Sequence, residues 1–488
     1  MKISITTVIS DMVLIAVTVL IYFLEESNLF SKQVIFIMLN VNLFIYIFRN
    51  LKDQIKRNSK YKIFTFTGVF IISQFLVQVL FGNFSLLFGE SYFSAGWEYL
   101  NKSMYIAIIG CFGIMLGYRC KKAEEIGQKI KNKIFMSAKY KTDYFACFIA
   151  FIISSLAYYI LIKMGLVGFS DEASIGAQAK YAAIQQYIIY IASINEIVLF
   201  LLYIDLLKTK RSMSKFIFPI FFVFQLYLGI LSASKTAVLA LILSLLIINL
   251  IYKGKISKIL VAILMTSVIG LYQYIDIFRS MLRGAYIGSR YDLLVYAIHN
   301  SSVDSTTILS AFQKFLSRIN IIESCSAVVR YKDTFGIQFG DPKFLEDLIL
   351  SPVYAIIPRF ILPSKSTATY GVWVSRNVYG SFDSNAQSYV TVQGFFYLAG
   401  GIACVFIGFY LMGLFLNVCS GIINVKAKEP ILVATFLMIC FSVLYEASTP
   451  REIFIQTARG IIIYILAGRV LVKKVKITKN ITGKHEDE

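Results

Sequence analysis

Long apolar runs alternate with short basic stretches along most of this chain. A helix needs about 20 apolar residues to cross the hydrocarbon core of a bilayer. Runs of that kind lie at roughly 6–24, 31–48, 63–81, 103–118, 143–162, 186–207, 216–231, 236–252, 259–275, 393–417, 431–446 and 458–472. The pattern predicts an all-α polytopic membrane protein of about 12 transmembrane helices. It divides the chain into residues 1–275 with the first nine helices, a large external loop over 276–392, the last three helices over 393–472, and a tail over 473–488. A connection as long as 276–392 usually has structure and a function of its own. Within it YDLLVYAIHN, TILSAFQKFLSRI and FLEDLILSPVYAIIPRF carry apolar residues at helical spacing, so the loop is expected to be partly helical, with short amphipathic helices at the interface or against the bundle.

Composition and charge sharpen the picture. Of the 488 residues 57% are hydrophobic and 16% charged, against about a quarter charged in soluble domains. The net charge of +20 sits mainly in short loops such as RNLKDQIKRNSKYK, KTKRSMSK and KGKISK, where it sets orientation. This places both termini in the cytoplasm and the 276–392 loop outside. It also makes nucleic acid an unsuitable partner, since no basic soluble module is present. The first apolar run leads straight into further spans without a small-residue cleavage site. Seven cysteines have no metal-ligand spacing, and two histidines, His299 and His485, do not make a zinc site of the usual kind. No metal and no cofactor is expected.

Topology accounts for the lysines but not for the arginines. Nine of the fourteen arginines fall on the outer side: Arg279, Arg283, Arg290, Arg318, Arg330, Arg359 and Arg376 in the loop, and Arg451 and Arg459 between the last two spans. Arginine binds phosphate oxygens bidentately and stays charged near a low-dielectric surface, so the set points to an anionic substrate. The alternative is that individual arginines pair with Asp276, Asp292, Glu323 or Asp383 and hold the loop together. LSASKTA at 231–237 is a tight turn whose Lys235 and helix-start amides suit an anion, or whose lysine reaches the headgroups. IIPRFILPSKSTATYG at 356–371 is a proline-bracketed elbow that presents Arg359 and Lys365. His299 is the histidine of the loop and a candidate base. Glu446 and Glu452 are rival bases, or ion-pair partners of Arg451. Asp11, Glu196 and Asp205 lie within spans, where charge is costly and often functional.

The elbow, followed by SNAQSYVTVQGFFYLAGG entering the tenth span, resembles the Wzy-type polymerases of O-antigen and other oligosaccharide repeat units. About twelve spans, a large outer loop before the final spans and an arginine-rich outer face are similar too. The family's arginine–glycine spacing of ten residues is approached by Arg359–Gly371 and Arg330–Gly340 without being met. The resemblance implies a metal-independent glycosyltransferase of the bacterial inner membrane. It would move a growing glycan from undecaprenyl pyrophosphate to a new lipid-linked unit on the periplasmic face. Its partners would be undecaprenyl-pyrophosphate-linked oligosaccharide, membrane lipids, a chain-length regulator and a flippase. On this reading Arg279, Arg283, Arg290, Arg359, Lys365, Arg376, Arg451, Arg459 and Lys235 bind pyrophosphate, and His299, Glu446 and Glu452 are the catalytic candidates. An O-antigen ligase, a lipid-linked oligosaccharide flippase or transporter, and a non-catalytic scaffold remain open alternatives.

Overall fold

The computed structural model describes residues 5–58, 64–88, 96–134, 140–164, 166, 172–209, 212–263, 274–275, 277–278, 281, 290–299, 319–336, 342–357, 370–381, 388, 390–425, 428–446 and 449–474. Helices dominate them. In chain order they are α1 (Ile5–Glu26), α2 (Lys32–Asn58), α3 (Phe66–Ile71, continuing as a π-helical stretch Ile72–Phe81), α4 (Phe84–Phe88), α5 (Trp97–Tyr118), α6 (Lys121–Ile134), α7 (Tyr144–Lys163), α8 (Glu172–Thr209), α9 (Ser212–Leu231) and α10 (Lys235–Lys253). Then follow α11 (Arg290–His299), α12 (Ile321–Thr334), α13 (Pro342–Ile356), α14 (Tyr370–Asn377), α15 (Val392–Ile422), α16 (Pro430–Glu446) and α17 (Pro450–Val470). Among the described residues, 9 helices are long and apolar enough to cross a membrane, and Ala237–Lys253 and Pro430–Cys440 are shorter apolar helices. The outward faces are apolar as well: Met12 and Phe23 on α1 are each 65% exposed, where a water-facing helix would be polar. The architecture is that of a helical polytopic membrane protein. A ladder of β1 (Tyr140–Thr142) against β2 (Val472–Lys474) departs from the all-helical expectation; it joins the start of α7 to the end of α17.

The two central helices meet backbone to backbone. α5 and the later part of α15 run in parallel, because Gly110 faces Phe409 and Gly117 faces Gly413. A Cβ on Gly117 would come within 2.8 Å of the Gly413 Cα. Small residues let spanning helices approach this closely, which is how helices associate when lipid is as apolar as the core. The seam continues onto α6, where Gly127 lies against Gly421. At the same end of the bundle a buried network ties α1, α2 and α5 together. Arg119 pairs with Asp11 (Nη1–Oδ2 2.5 Å, Nη2–Oδ1 3.0 Å), and Tyr46 donates to Asp11 at 3.0 Å. Asp11 is thus engaged in helix packing, and Asp205 accepts from Tyr144 in the same manner.

Several helices extend beyond the apolar runs, α2 to Asn58 among them; α17, α8 and α15 differ as follows. α17 begins at 450 and not at 458. Thr449 and Glu452 form a capping box and Pro450 occupies the first helical position, so helix-start chemistry carries the helix through polar residues. α8 begins at 172 and not at 186. α15 is 31 residues long but is broken: Gly400 (φ −169°, ψ 27°) and Gly401 (φ 67°, ψ −156°) are not helical. In an unbroken helix Phe396 and Gly408 would be about 18 Å apart. Instead the Phe396 ring lies on Gly408 and 5.2 Å from the Phe409 ring. The short arm 392–399 therefore turns back on the longer arm 402–422. Of the expected loop helices, YDLLVYAIH lies in α11 and FLEDLILSPVYAI in α13. TILSAFQKFLSRI, apart from its last residue Ile319, and most of the elbow, residues 358–369, lie outside the described residues.

Candidate functional site

Two helices of the long connection pack on the bundle, α12 on α5 and α15 and α13 on α17 and α15, and the end they reach is referred to below as the loop end. Aromatic packing seats them. Phe344 of α13 meets Tyr370 and Trp373 of α14 and Phe395 of the short arm at centroid distances of 5.0, 4.9 and 5.1 Å. Tyr331 of α12 meets Trp373 at 5.5 Å. α12 itself starts where the Asn320 side chain accepts from the Ile322 and Glu323 amides. Its last turn, Tyr331–Lys332–Asp333, lies beside the break in α15.

Four polar residues converge there. Lys332, 5% exposed, donates to the Tyr397 carbonyl oxygen at 2.7 Å and stands 4.5 Å from the centroid of the Tyr397 ring. Asp333 pairs with Lys102 of α5 at 2.5 Å and accepts from the Tyr397 hydroxyl at 3.4 Å. Burial pushes the pKa of the Lys332 ammonium below the ordinary lysine value, and the Asp333 charge opposes that only in part. Tyr397 carries a backbone acceptor because the break leaves the last carbonyls of the short arm without helical partners.

A second buried charge pair lies between α13 and α17. Arg451 donates to both carboxylate oxygens of Asp347, at 3.3 and 3.4 Å, and the two side chains are 11% and 6% exposed. Glu452 accepts from the Thr449 amide at 3.1 Å, closing the capping box. Arg459 lies midway along α17 (Pro450–Val470) and not in a turn between spans, as expected from the apolar runs. Its Nε is buried. Glu452, Gln456 and Arg459 follow i, i+4, i+7 spacing, so they share one face of α17. An arginine at that depth is costly in a membrane helix and marks a functional position by default.

The other expected site residues are scattered in what is described. His299 is exposed at the last position of α11. Arg376 is exposed on α14. Arg290 is the first residue of α11, Lys235 the first of α10 and Glu446 the last of α16; their side-chain surroundings lie outside the described residues. Arg279, Arg283, Arg359 and Lys365 lie outside them altogether. In LSASKTA the expected tight turn is present: Ala233 has φ 55° and the Ser234 side chain accepts from the Ala237 amide, opening α10. Sequence reasoning missed Lys332, Asp333, Lys102, Tyr397 and Asp347. The available signal was the Gly400–Gly401 pair inside an apolar run, which marks a possible break. No group of His, Cys, Asp and Glu among the described residues is arranged to hold a metal ion. No family model matches the chain, and no curated protein or solved structure matches it.

Proposed function

We propose that the chain is a membrane glycosyltransferase that polymerises undecaprenyl-pyrophosphate-linked oligosaccharide repeat units into O-antigen or a related surface polysaccharide. Twelve spans, cytoplasmic termini and a loop end on the periplasmic face of the bacterial inner membrane complete the reading, supported by the basic loops of the sequence. The observation that supports it is that three cations are withdrawn from solvent: Lys332 beside the break in α15, Arg451 between α13 and α17, and Arg459, with its Nε buried, midway along α17. Cations in a low-dielectric site stabilise the charge that develops on a departing lipid pyrophosphate. The acceptor sugar hydroxyl attacks the anomeric carbon, the carbon–oxygen bond to pyrophosphate breaks, and the hydroxyl proton passes to a base or to water. Arg451 is held by Asp347 in the described state, so a role on substrate requires exchange of that partner.

The polysaccharide ladder of cells lacking the gene, and of cells carrying Arg459→Ala, tests this. Collapse to single repeat units on the surface acceptor is the expected result. Long polymer accumulating on the lipid carrier would instead identify a ligase. A lipid-linked oligosaccharide transporter is the second reading, favoured by the broken helix α15, a feature of many transporter sites. It predicts repeat units trapped on the cytoplasmic leaflet.

A further inference from the structure

α5 starts near the loop end, where Lys102 pairs with Asp333, and ends at the other side of the bundle. α6 follows it after a two-residue turn. There α6 is pressed onto the last turn of α15, a helix long and apolar enough to cross a membrane. A Cβ on Gly127 would stand 2.8 Å from the Gly421 Cα, so the two backbones touch. Lys131 adds an ion pair with Glu429, just before α16, at 3.8 Å. A helix fixed beside the last turn of a spanning helix lies where hydrocarbon gives way to headgroups.

The side chains of α6 are graded around its circumference, read at 3.6 residues per turn. Ala123 and Gly127 form the packed edge, and both are buried. Ile130 and Ile126 come next and are 36% and 51% exposed. Lys133, Lys122 and Lys129 form the row beyond them, all exposed. Among the described residues none of these three lysines enters an ion pair. Glu125 lies past the lysine row and Glu124 on the opposite side of the helix. A face turned to water would be polar throughout, and one turned to acyl chains apolar throughout. Isoleucines bordering the seam with a spanning helix, and lysines one row further out, fit the level between the two. There apolar side chains reach the acyl boundary while lysine stems lie along it and lift their ammoniums to anionic headgroups. An acidic protein surface would match the lysines but leaves the placing of the isoleucines beside the membrane seam without a reason.

We propose that α6 is an interfacial helix that docks on an anionic bilayer surface, at the leaflet opposite the loop end. Ile126 and Ile130 insert at the acyl boundary, and Lys122, Lys129 and Lys133 meet the headgroups. The partner is the lipid surface itself and not a substrate, so the inference does not depend on the polymerase reading, whose chemistry lies at the loop end. Docking holds the α5–α6 corner and the α6–α15 seam, and makes their stability follow the anionic lipid content of the membrane. A lysine near such a surface contributes about fivefold in binding.

The test uses the full chain in nanodiscs of phosphatidylcholine, with or without phosphatidylglycerol, and follows hydrogen exchange of the α6 amides. In the wild type, phosphatidylglycerol is expected to slow their exchange about tenfold or more, and about 1 M salt to remove most of that slowing. The triple variant Lys122→Gln, Lys129→Gln, Lys133→Gln is expected to exchange alike in both lipids. The control is Lys253→Gln, Lys255→Gln, Lys258→Gln, which removes three exposed lysines after α10. They lie at the same end, where the Tyr252 hydroxyl donates to the Lys428 carbonyl oxygen beside Glu429. The control should keep the wild-type difference. Equal exchange of wild-type α6 in the two lipids overturns the proposal, and this comparison needs no variant. The proposal is also overturned if the α6 variant keeps the full difference, or if the control loses it equally, because the charge of that whole end is then responsible. Slowing by added polyglutamate and not by phosphatidylglycerol overturns it as well, and would assign the face to an acidic protein.

Discussion

Arg451 in the first turn of α17 donates to both oxygens of Asp347 on α13, at 3.3 and 3.4 Å, and both side chains are nearly buried. The pair fastens α13 to the last spanning helix. Removing one member leaves the other charge buried alone, at a cost of about 3–5 kcal/mol. Arg451→Met is therefore expected to lower the Tm of the purified protein markedly, and Arg451→Met with Asp347→Leu to recover most of the loss. Equal destabilisation in the single and double variants would show that the pair is not what fastens α13 to α17.

Lys332 leads to a pH dependence whose sign follows from its burial. The folded ammonium is a stronger acid than the free one, so between its folded pKa and the ordinary value of about 10.4 the unfolded chain binds more protons. Stability contributed by this group therefore rises with pH through that window and is flat below it. Lys332→Met removes the effect. The Tm of the wild type, measured relative to that variant, is expected to increase as pH is raised toward the ordinary lysine value of about 10.4. Parallel curves for the two proteins would mean that Lys332 is not buried as a cation in the folded state.

The glycine seam yields a packing prediction. Gly117→Ala places a methyl group against the Gly413 backbone, and overpacking of this kind costs about 1–3 kcal/mol. Gly117→Leu is expected to separate α5 from α15 and to leave little monodisperse protein on size-exclusion chromatography. Ile407→Ala, at a position 53% exposed on α15, is the control and should elute as wild type. Normal behaviour of Gly117→Leu would show that the two helices do not touch along this line.

Most of the spanning helices were legible because lipid demands continuous apolar runs with internally satisfied backbones. The run at 143–162 matches α7, Tyr144–Lys163, within a residue at each end. The start of α17 was not legible from hydropathy, since Arg451, Glu452, Gln456 and Arg459 interrupt the apolar pattern. The capping box Thr449–Glu452 was nevertheless written in the sequence, and giving it precedence over hydropathy would have placed Arg459 inside the helix.

The chain by itself determined that it is a helical membrane protein, which loops are basic and where its arginines fall. These follow from the cost of exposing backbone and charge to hydrocarbon, a cost paid residue by residue and so readable in one dimension. Only the tertiary structure decided which charges meet. Lys102 and Asp333, 231 positions apart, pair at 2.5 Å, and Lys332 reaches Tyr397 across a helix break. Such contacts depend on how α12 is seated by Tyr331 against Trp373 and on how α15 turns at Gly400 and Gly401. Local spacing does not encode the docking of distant helices, because that docking is set by the summed packing of many side chains at once.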